Sequence, residues 1–189
     1  MNRPMLPRMS IEAFEAWAEK QDGRYELVRG RPVMMNQTTR NHARITMNIA
    51  LALGNAVDRT IYDVMAGDFA LQTGDDTLRL ADIMITPAEG SGRDRRTDEA
   101  LLLVEVLSPS TANDDFGDKQ REYLALSSLQ AYLIVAQDKI CAWLWLRGED
   151  GFPQKPDVIE TLDATLAIDA LGLALPMNEI YARVDLSAN

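Results

Sequence analysis

Apolar and polar positions alternate along the chain in two rhythms, one of about four residues and one of two, and the switches between them mark out its elements. Ser10 precedes "IEAFEAWAEK", where Ile11, Phe14 and Trp17 share one helical face, so a short helix capped by Ser10 is expected. In "RYELVRGRPVMM" two strand-like runs flank Arg29-Gly30-Arg31, which predicts a hairpin. From Thr38 to Val57 the four-residue rhythm returns at Ile45, Ile49, Leu53 and Val57, predicting a long helix interrupted by nothing worse than Gly54.

Period two then dominates. "TIYDVMAGDFALQ" predicts one or two strands broken near Gly67, "TLRLADIMI" an alternating strand, and "LLLVEVL" a more buried one. "DDFGDKQREYLAL" predicts a helix with acidic residues at its start, where the helix dipole favours them. "AYLIVAQDKICAWLWLR" predicts a hairpin turning near Asp138-Lys139, "PDVIETL" a further strand, and "LGLALPMNEIYARV" a docked strand followed by a short helical turn. Helices, then strands, one helix and more strands make an α+β or mixed α/β domain with one main sheet and helices packed on it. Residues 1–9 are expected to be a loose leader and 10–189 a single domain, with Pro87 to Ala100 as a long loop inside it.

Two positions break the apolar pattern in the same way. In "TLRLADIMI" Leu78, Leu80, Asp82 and Met84 fall on one face, and in "LLLVEVL" Leu101, Leu103, Glu105 and Leu107 do. A carboxylate in each row invites either a strand-end position reaching water or a divalent cation held between the two. Mg²⁺ needs only one or two carboxylates, because it keeps several waters. In the following helix Phe116, Lys119, Tyr123 and Leu126 are spaced by 3, 4 and 3, which aims Lys119 at the sheet. Its ammonium either snorkels to the rim or sits near the carboxylates, where it could offset negative charge or position a water.

Composition narrows the field. A formal net charge of -10 disfavours tight non-specific binding to nucleic acid, which needs lysine and arginine to displace counterions, but leaves room for a local cation site. Cys141 is the one cysteine, so no intrachain disulfide forms, and with no long apolar run and no convincing signal peptide the expectation is a cytoplasmic protein without a membrane partner.

"VEVLSPSTANDDFGDKQREYLALSSLQAYLIV", with "YELVRGRPVMM" upstream and "RLADIMIT" between, resembles the bacterial Uma-two family within the PD-(D/E)xK nuclease superfamily, over roughly Ile11 to Tyr181. The resemblance implies a restriction-endonuclease-like core and Mg²⁺- or Mn²⁺-assisted hydrolysis of phosphodiester bonds in DNA. Asp82 takes the place of the family's strand aspartate, though Ala81 stands where a proline often precedes it. Glu105 takes the place of the motif glutamate. The superfamily's usual lysine position holds Leu107, and Lys119 looks like its replacement delivered from the helix. The resemblance implies that Asp82 and Glu105 bind the metal, with the Val106 carbonyl, and that Lys119 assists. Glu26 matches an upstream acidic position; it is either an accessory to the site or a solvent-facing strand residue.

Tyr123, one turn from Lys119, lines the site or packs in the core. His42, the only histidine, has no second histidine or cysteine nearby for a zinc site and reads as structural or substrate-facing. Trp143 and Trp145 alternate with leucines and read as core or interface. Ser108, Ser110 and Thr111 turn the chain and cap a helix, with Pro109 ending the strand. No phosphate-binding glycine loop occurs. Three functions stay open: a metal-dependent nuclease, an inactive module that keeps the nuclease fold for binding or assembly, and a hydrolase of smaller phosphoesters. Exposed strand edges and the aromatic hairpin make a homodimer reasonable.

Overall fold

The computed structural model describes residues 8–107 and 117–187. The chain runs α1 (Ile11–Ala18), β1 (Tyr25–Val28), β2 (Arg31–Met34), α2 (Arg40–Ala56), β3 (Tyr62–Ala66), β4 (Ala70–Gly74), β5 (Thr77–Arg79), β6 (Ile83–Pro87), β7 (Arg96–Thr97) and β8 (Leu102–Leu107). After the undescribed stretch come α3 (Asp118–Leu124), β9 (Ala131–Ala136), β10 (Ala142–Leu146), β11 (Asp157–Ile159), β12 (Thr165–Ile168), β13 (Leu173–Pro176) and α4 (Met177–Ile180). Ser108 to Phe116, including the expected turn and cap at Ser108, Pro109, Ser110 and Thr111, lie outside the described residues.

Among the described residues the strands form the expected mixed main sheet and, beyond it, two further sheets. A six-stranded sheet has the order β11-β10-β9-β8-β6-β3, a five-stranded sheet the order β2-β1-β5-β4-β7, and β12 and β13 form a separate pair. The larger sheet is mixed: β8 and β9 run parallel, while β6 runs antiparallel to β8. Its centre is buried on both faces, which is why β8 and β9 read as nearly continuous apolar runs. On one face Val104, Val106, Leu133 and Val135 pack with Ile45, Ile49 and Leu53 of α2 and with the β12–β13 pair. On the other, Leu103, Tyr132 and Ile134 pack with Tyr123 of α3, Met84 and Trp145. The four-residue rhythm of α2 is therefore the stripe that seats it on the sheet.

Several local expectations hold. The Ser10 hydroxyl accepts from the Ala13 N–H at 3.3 Å and starts α1, whose Ile11 and Phe14 are buried. The β1–β2 hairpin closes on Arg29 and Gly30 at φ 49° and 76°, the paired left-handed conformation that a two-residue turn needs. Arg8 and Met9, expected to belong to a loose leader, rest on that turn, and the Met9 N–H donates to the Gly30 carbonyl at 2.7 Å.

Others need correction. "TLRLADIMI" is not one strand. It breaks at Leu80-Ala81-Asp82, so that β5 belongs to the smaller sheet and β6 to the larger one. The expected break near Gly67 is present, its φ of 96° carrying the turn between β3 and β4, but the two strands join different sheets. The loop from Pro87 to Ala100 holds β7, which pairs parallel with β4. α3 ends at Leu124, so Leu126 lies in the following turn, and β12 has no counterpart in the predicted elements.

Candidate active site

Two strand ends meet at the break after β5. The β6–β8 register pairs Ile83 with Val104, and one further step along the antiparallel pair sets Asp82 opposite Glu105. Opposed residues of antiparallel strands point to the same face, and both side chains line one cleft of about 90 Å³. Asp82 Oδ2 accepts from the Val106 N–H at 2.7 Å, so the backbone of β8 itself fixes the Asp82 side chain. The same oxygen lies 3.1 Å from His42 Nε2. His42 is held there by the start of α2, where the Thr39 hydroxyl accepts from the His42 N–H at 3.1 Å and donates to the Gln137 side-chain oxygen.

Glu105 is 4% exposed. Tyr123 donates its hydroxyl to Glu105 Oε1 at 3.0 Å, and Lys119 Nζ stands 3.2 Å from the same oxygen. The Lys119 ammonium also contacts Glu26 Oε1 at 3.1 Å. Lys119 is 5% exposed, so its charge is buried between two carboxylates rather than snorkelled to the rim. Glu26 is buried as well, which overturns the alternative of a solvent-facing strand residue. It accepts from the Leu80 N–H at 3.0 Å and from Arg79 Nη1 at 2.9 Å. Arg79 closes the chain by gripping Glu122 with Nε at 2.7 Å and Nη2 at 2.9 Å, a two-point clamp. Three carboxylates and two cations thus run unbroken from Glu122 through Arg79, Glu26 and Lys119 to Glu105.

The electrostatics follow from this pairing. Burial alone would raise the Glu26 carboxyl, but Lys119 and Arg79 outweigh it and hold the group below its ordinary value of 4.5. Burial disfavours the Arg79 charge, yet Glu122 and Glu26 reverse that and raise its affinity for the proton. Burial pushes the Tyr123 phenol well above its ordinary range, and the adjacent Glu105 adds to it, so the hydroxyl keeps its proton and stays a donor. Tyr123 is fully buried, edge-on to Tyr132 at 5.3 Å. It supports Glu105 from behind and does not line the cleft.

Two carboxylates facing one cleft fit a hard cation that keeps most of its waters. Among the described residues no group of three or more His, Cys, Asp and Glu side chains could hold a metal by itself, so the donor set does not suit a closed zinc site.

The family model named Uma2 and described as "Putative restriction endonuclease" matches residues 11–178. The chain belongs to the Uma2 family. An uncharacterised protein of Synechocystis sp. (strain ATCC 27184 / PCC 6803 / Kazusa) is 28% identical over 183 residues, 93% of each chain. The crystal structure titled a putative nuclease belonging to DUF820, from Anabaena variabilis ATCC 29413, superposes with a TM-score of 0.73 at 13% identity, covering 92% of this chain and 98% of that one. At that identity the likeness is one of fold, and it is the Uma2 family match that describes this mixed sheet with its flanking helices as restriction-endonuclease-like.

In this Uma2 chain Asp82, Glu105, Lys119, Glu26 and His42 all line the one cleft, and Tyr123 adjoins it. Sequence reading missed Arg79 and Glu122. In the sequence Arg79 alternates with Leu78 and Leu80 as an ordinary polar strand position, and its burial shows only in the fold. Glu122 lies three residues after Lys119 on α3, and its role shows only once β5 is seen to pass that helix. Trp145 is buried and stacked on Tyr132 at 5.5 Å, as a core residue, while Trp143 is half-buried beneath Lys139. Among the described residues no helix is long and apolar enough to cross a membrane.

Proposed function

We propose that this protein is a metal-dependent nuclease that hydrolyses phosphodiester bonds in DNA, with Asp82 and Glu105 holding Mg²⁺ or Mn²⁺. The observation that carries the reading is the convergence of Asp82, Glu105 and Lys119 on one cleft, with the ammonium 3.2 Å from Glu105 although it comes from α3 and not from β8. Lys119 therefore stands in for the lysine that Leu107 displaces. A divalent cation bound by the two carboxylates would polarise a phosphate oxygen and acidify a water. Asp82 is kept in register for this by the Val106 N–H and by His42, and Glu105 by Tyr123. Lys119 supplies the positive charge that offsets charge gathering on the phosphate, and Glu26 with Arg79 keeps that charge in place.

The test pairs cleavage with binding. Wild type with Mn²⁺ should cut DNA, Glu105→Gln should lose at least about a hundredfold in rate, and calorimetry should show Mn²⁺ binding that the variant loses. Wild type that neither cuts DNA nor binds Mn²⁺ at millimolar concentration refutes the proposal. One observation favours the inactive-module reading: Lys119 already neutralises Glu105 without any metal. The calorimetric arm separates the two, because a module needs no metal.

A further inference from the structure

The cleft does not end at the carboxylates. Its outer wall is the segment from Met34 to Thr38, and the same five residues, with Arg24, also line an adjoining groove of about 670 Å³. This wall shares the cleft with Asp82 and Glu105, and its chemistry is unlike that of a phosphate track. Two methionines, Met34 and Met35, and two carboxamide residues, Asn36 and Gln37, line it, with Val33 beside them on the cleft side. Val33 and Met34 are 44% and 48% exposed, on the strand that forms the edge of the smaller sheet.

Among the described residues, the two cations that line the cleft and groove are already committed. Arg24 is paired with Asp68, and Lys119 stands between Glu26 and Glu105. With a net charge of -10 the chain has little with which to neutralise the two phosphate backbones of a duplex. What the groove offers is apolar, polarisable surface for the face of a base and amides for its edge. Methionine sulfur makes favourable contacts with aromatic rings, and unpaired bases are read at edges that a duplex hides.

We infer that the groove along Met34–Thr38 binds the unpaired base next to the scissile phosphate, so that the substrate is single-stranded or frayed DNA and not intact duplex. The inference rests on the nuclease reading for the scissile phosphate, but base binding can be measured without cleavage. The experiment uses the full chain carrying Glu105→Gln, with a fluorescein-labelled 12-nucleotide single strand and the matching duplex, followed by anisotropy in Mg²⁺ at several salt concentrations. The single strand should bind at least about tenfold tighter than the duplex. Its salt dependence should be shallow, with a log–log slope no steeper than about -2, as expected for few phosphate contacts. Adding Met34→Ala or Met35→Ala should weaken it about two- to tenfold each, while Val158→Ala, an exposed apolar residue on β11, should change nothing.

Tighter binding of the duplex, no binding of the single strand, or methionine variants that bind like their parent each overturn the inference. Wild type with Mn²⁺ is run in parallel on both probes. Single-strand binding with neither cleavage nor Mn²⁺ binding sinks the nuclease reading and leaves the groove standing. Cleavage of duplex without single-strand preference does the reverse.

Discussion

Replacing Arg79 by methionine tests the buried ion chain at its centre. The Arg79 side chain is 3% exposed and makes three hydrogen bonds to two carboxylates, at 2.9 Å to Glu26 and at 2.7 and 2.9 Å to Glu122. Methionine fills much of the volume but returns none of these bonds. Glu26, with its side chain 7% exposed, would keep only Lys119 and the Leu80 N–H from among the partners named above. Breaking a buried ion pair by removing one member costs about 3–5 kcal/mol, since the remaining charge loses compensation in a low-dielectric site. The lower end applies, because Lys119 still faces Glu26 and because Glu122, at 19% exposure, can turn to water. The expected loss is about 3 kcal/mol in urea unfolding at neutral pH, or a melting temperature lower by about 6–12 °C for a domain of this size. Glu26→Gln should cost less in the Arg79→Met background than in wild type, by a coupling of about 0.5–3 kcal/mol. A loss below about 1 kcal/mol, or equal costs of Glu26→Gln in both backgrounds, would refute the reasoning.

Tyr123→Phe removes the hydroxyl that Glu105 accepts at 3.0 Å and leaves the ring packed on Tyr132, so a loss of about 1.5 kcal/mol is expected, the lower end for a hydrogen bond to a charged group; an unchanged urea midpoint counts against it. Acid should act through Glu26. Its folded carboxyl sits below the ordinary 4.5, so its stabilisation is complete above pH 4.5 and is lost as pH falls through the lower folded value. Urea midpoints measured from pH 7 down to 3 should therefore fall more steeply for wild type than for Glu26→Gln below pH 4.5, and parallel curves would contradict the assignment.

The residues legible in the sequence were those whose signal is local. A cap at Ser10, a left-handed pair at Arg29-Gly30, and the stripe of Ile45, Ile49 and Leu53 each depend on neighbours a few positions away. Glu105 stood out because a carboxylate inside an apolar run is costly unless partnered. The partition of strands between sheets was not legible. In "TLRLADIMI" the alternation passes through Leu80-Ala81-Asp82 without a glycine or proline, and only tertiary pairing to β1 on one side and β8 on the other breaks it. Arg79 and Glu122 were missed for the same reason: they are 43 residues apart and meet only after β5 joins the smaller sheet. His42 carries no local mark either, since its contact with Asp82 depends on how α2 lies over the sheet.

The break at Asp82 has a mechanical consequence. Three residues join β5 to β6, and three join β3 to β4, so two equally short covalent tethers hold the smaller sheet to the larger, and Asp82 lies on one of them. Glu26 and the Met34–Thr38 wall belong to one side of that tether, Glu105 to the other, and Asp82 to the tether itself. A tilt of one sheet against the other would open or narrow the gap between wall and carboxylates with Asp82 near the pivot. The ion chain spans the same gap, with Glu26 and Arg79 on one bank and Glu105 on the other, and Lys119 bolts them together. One ammonium group thus ties the two banks of the cleft together, and its loss would act on the spacing of the banks as well as on the charge between them.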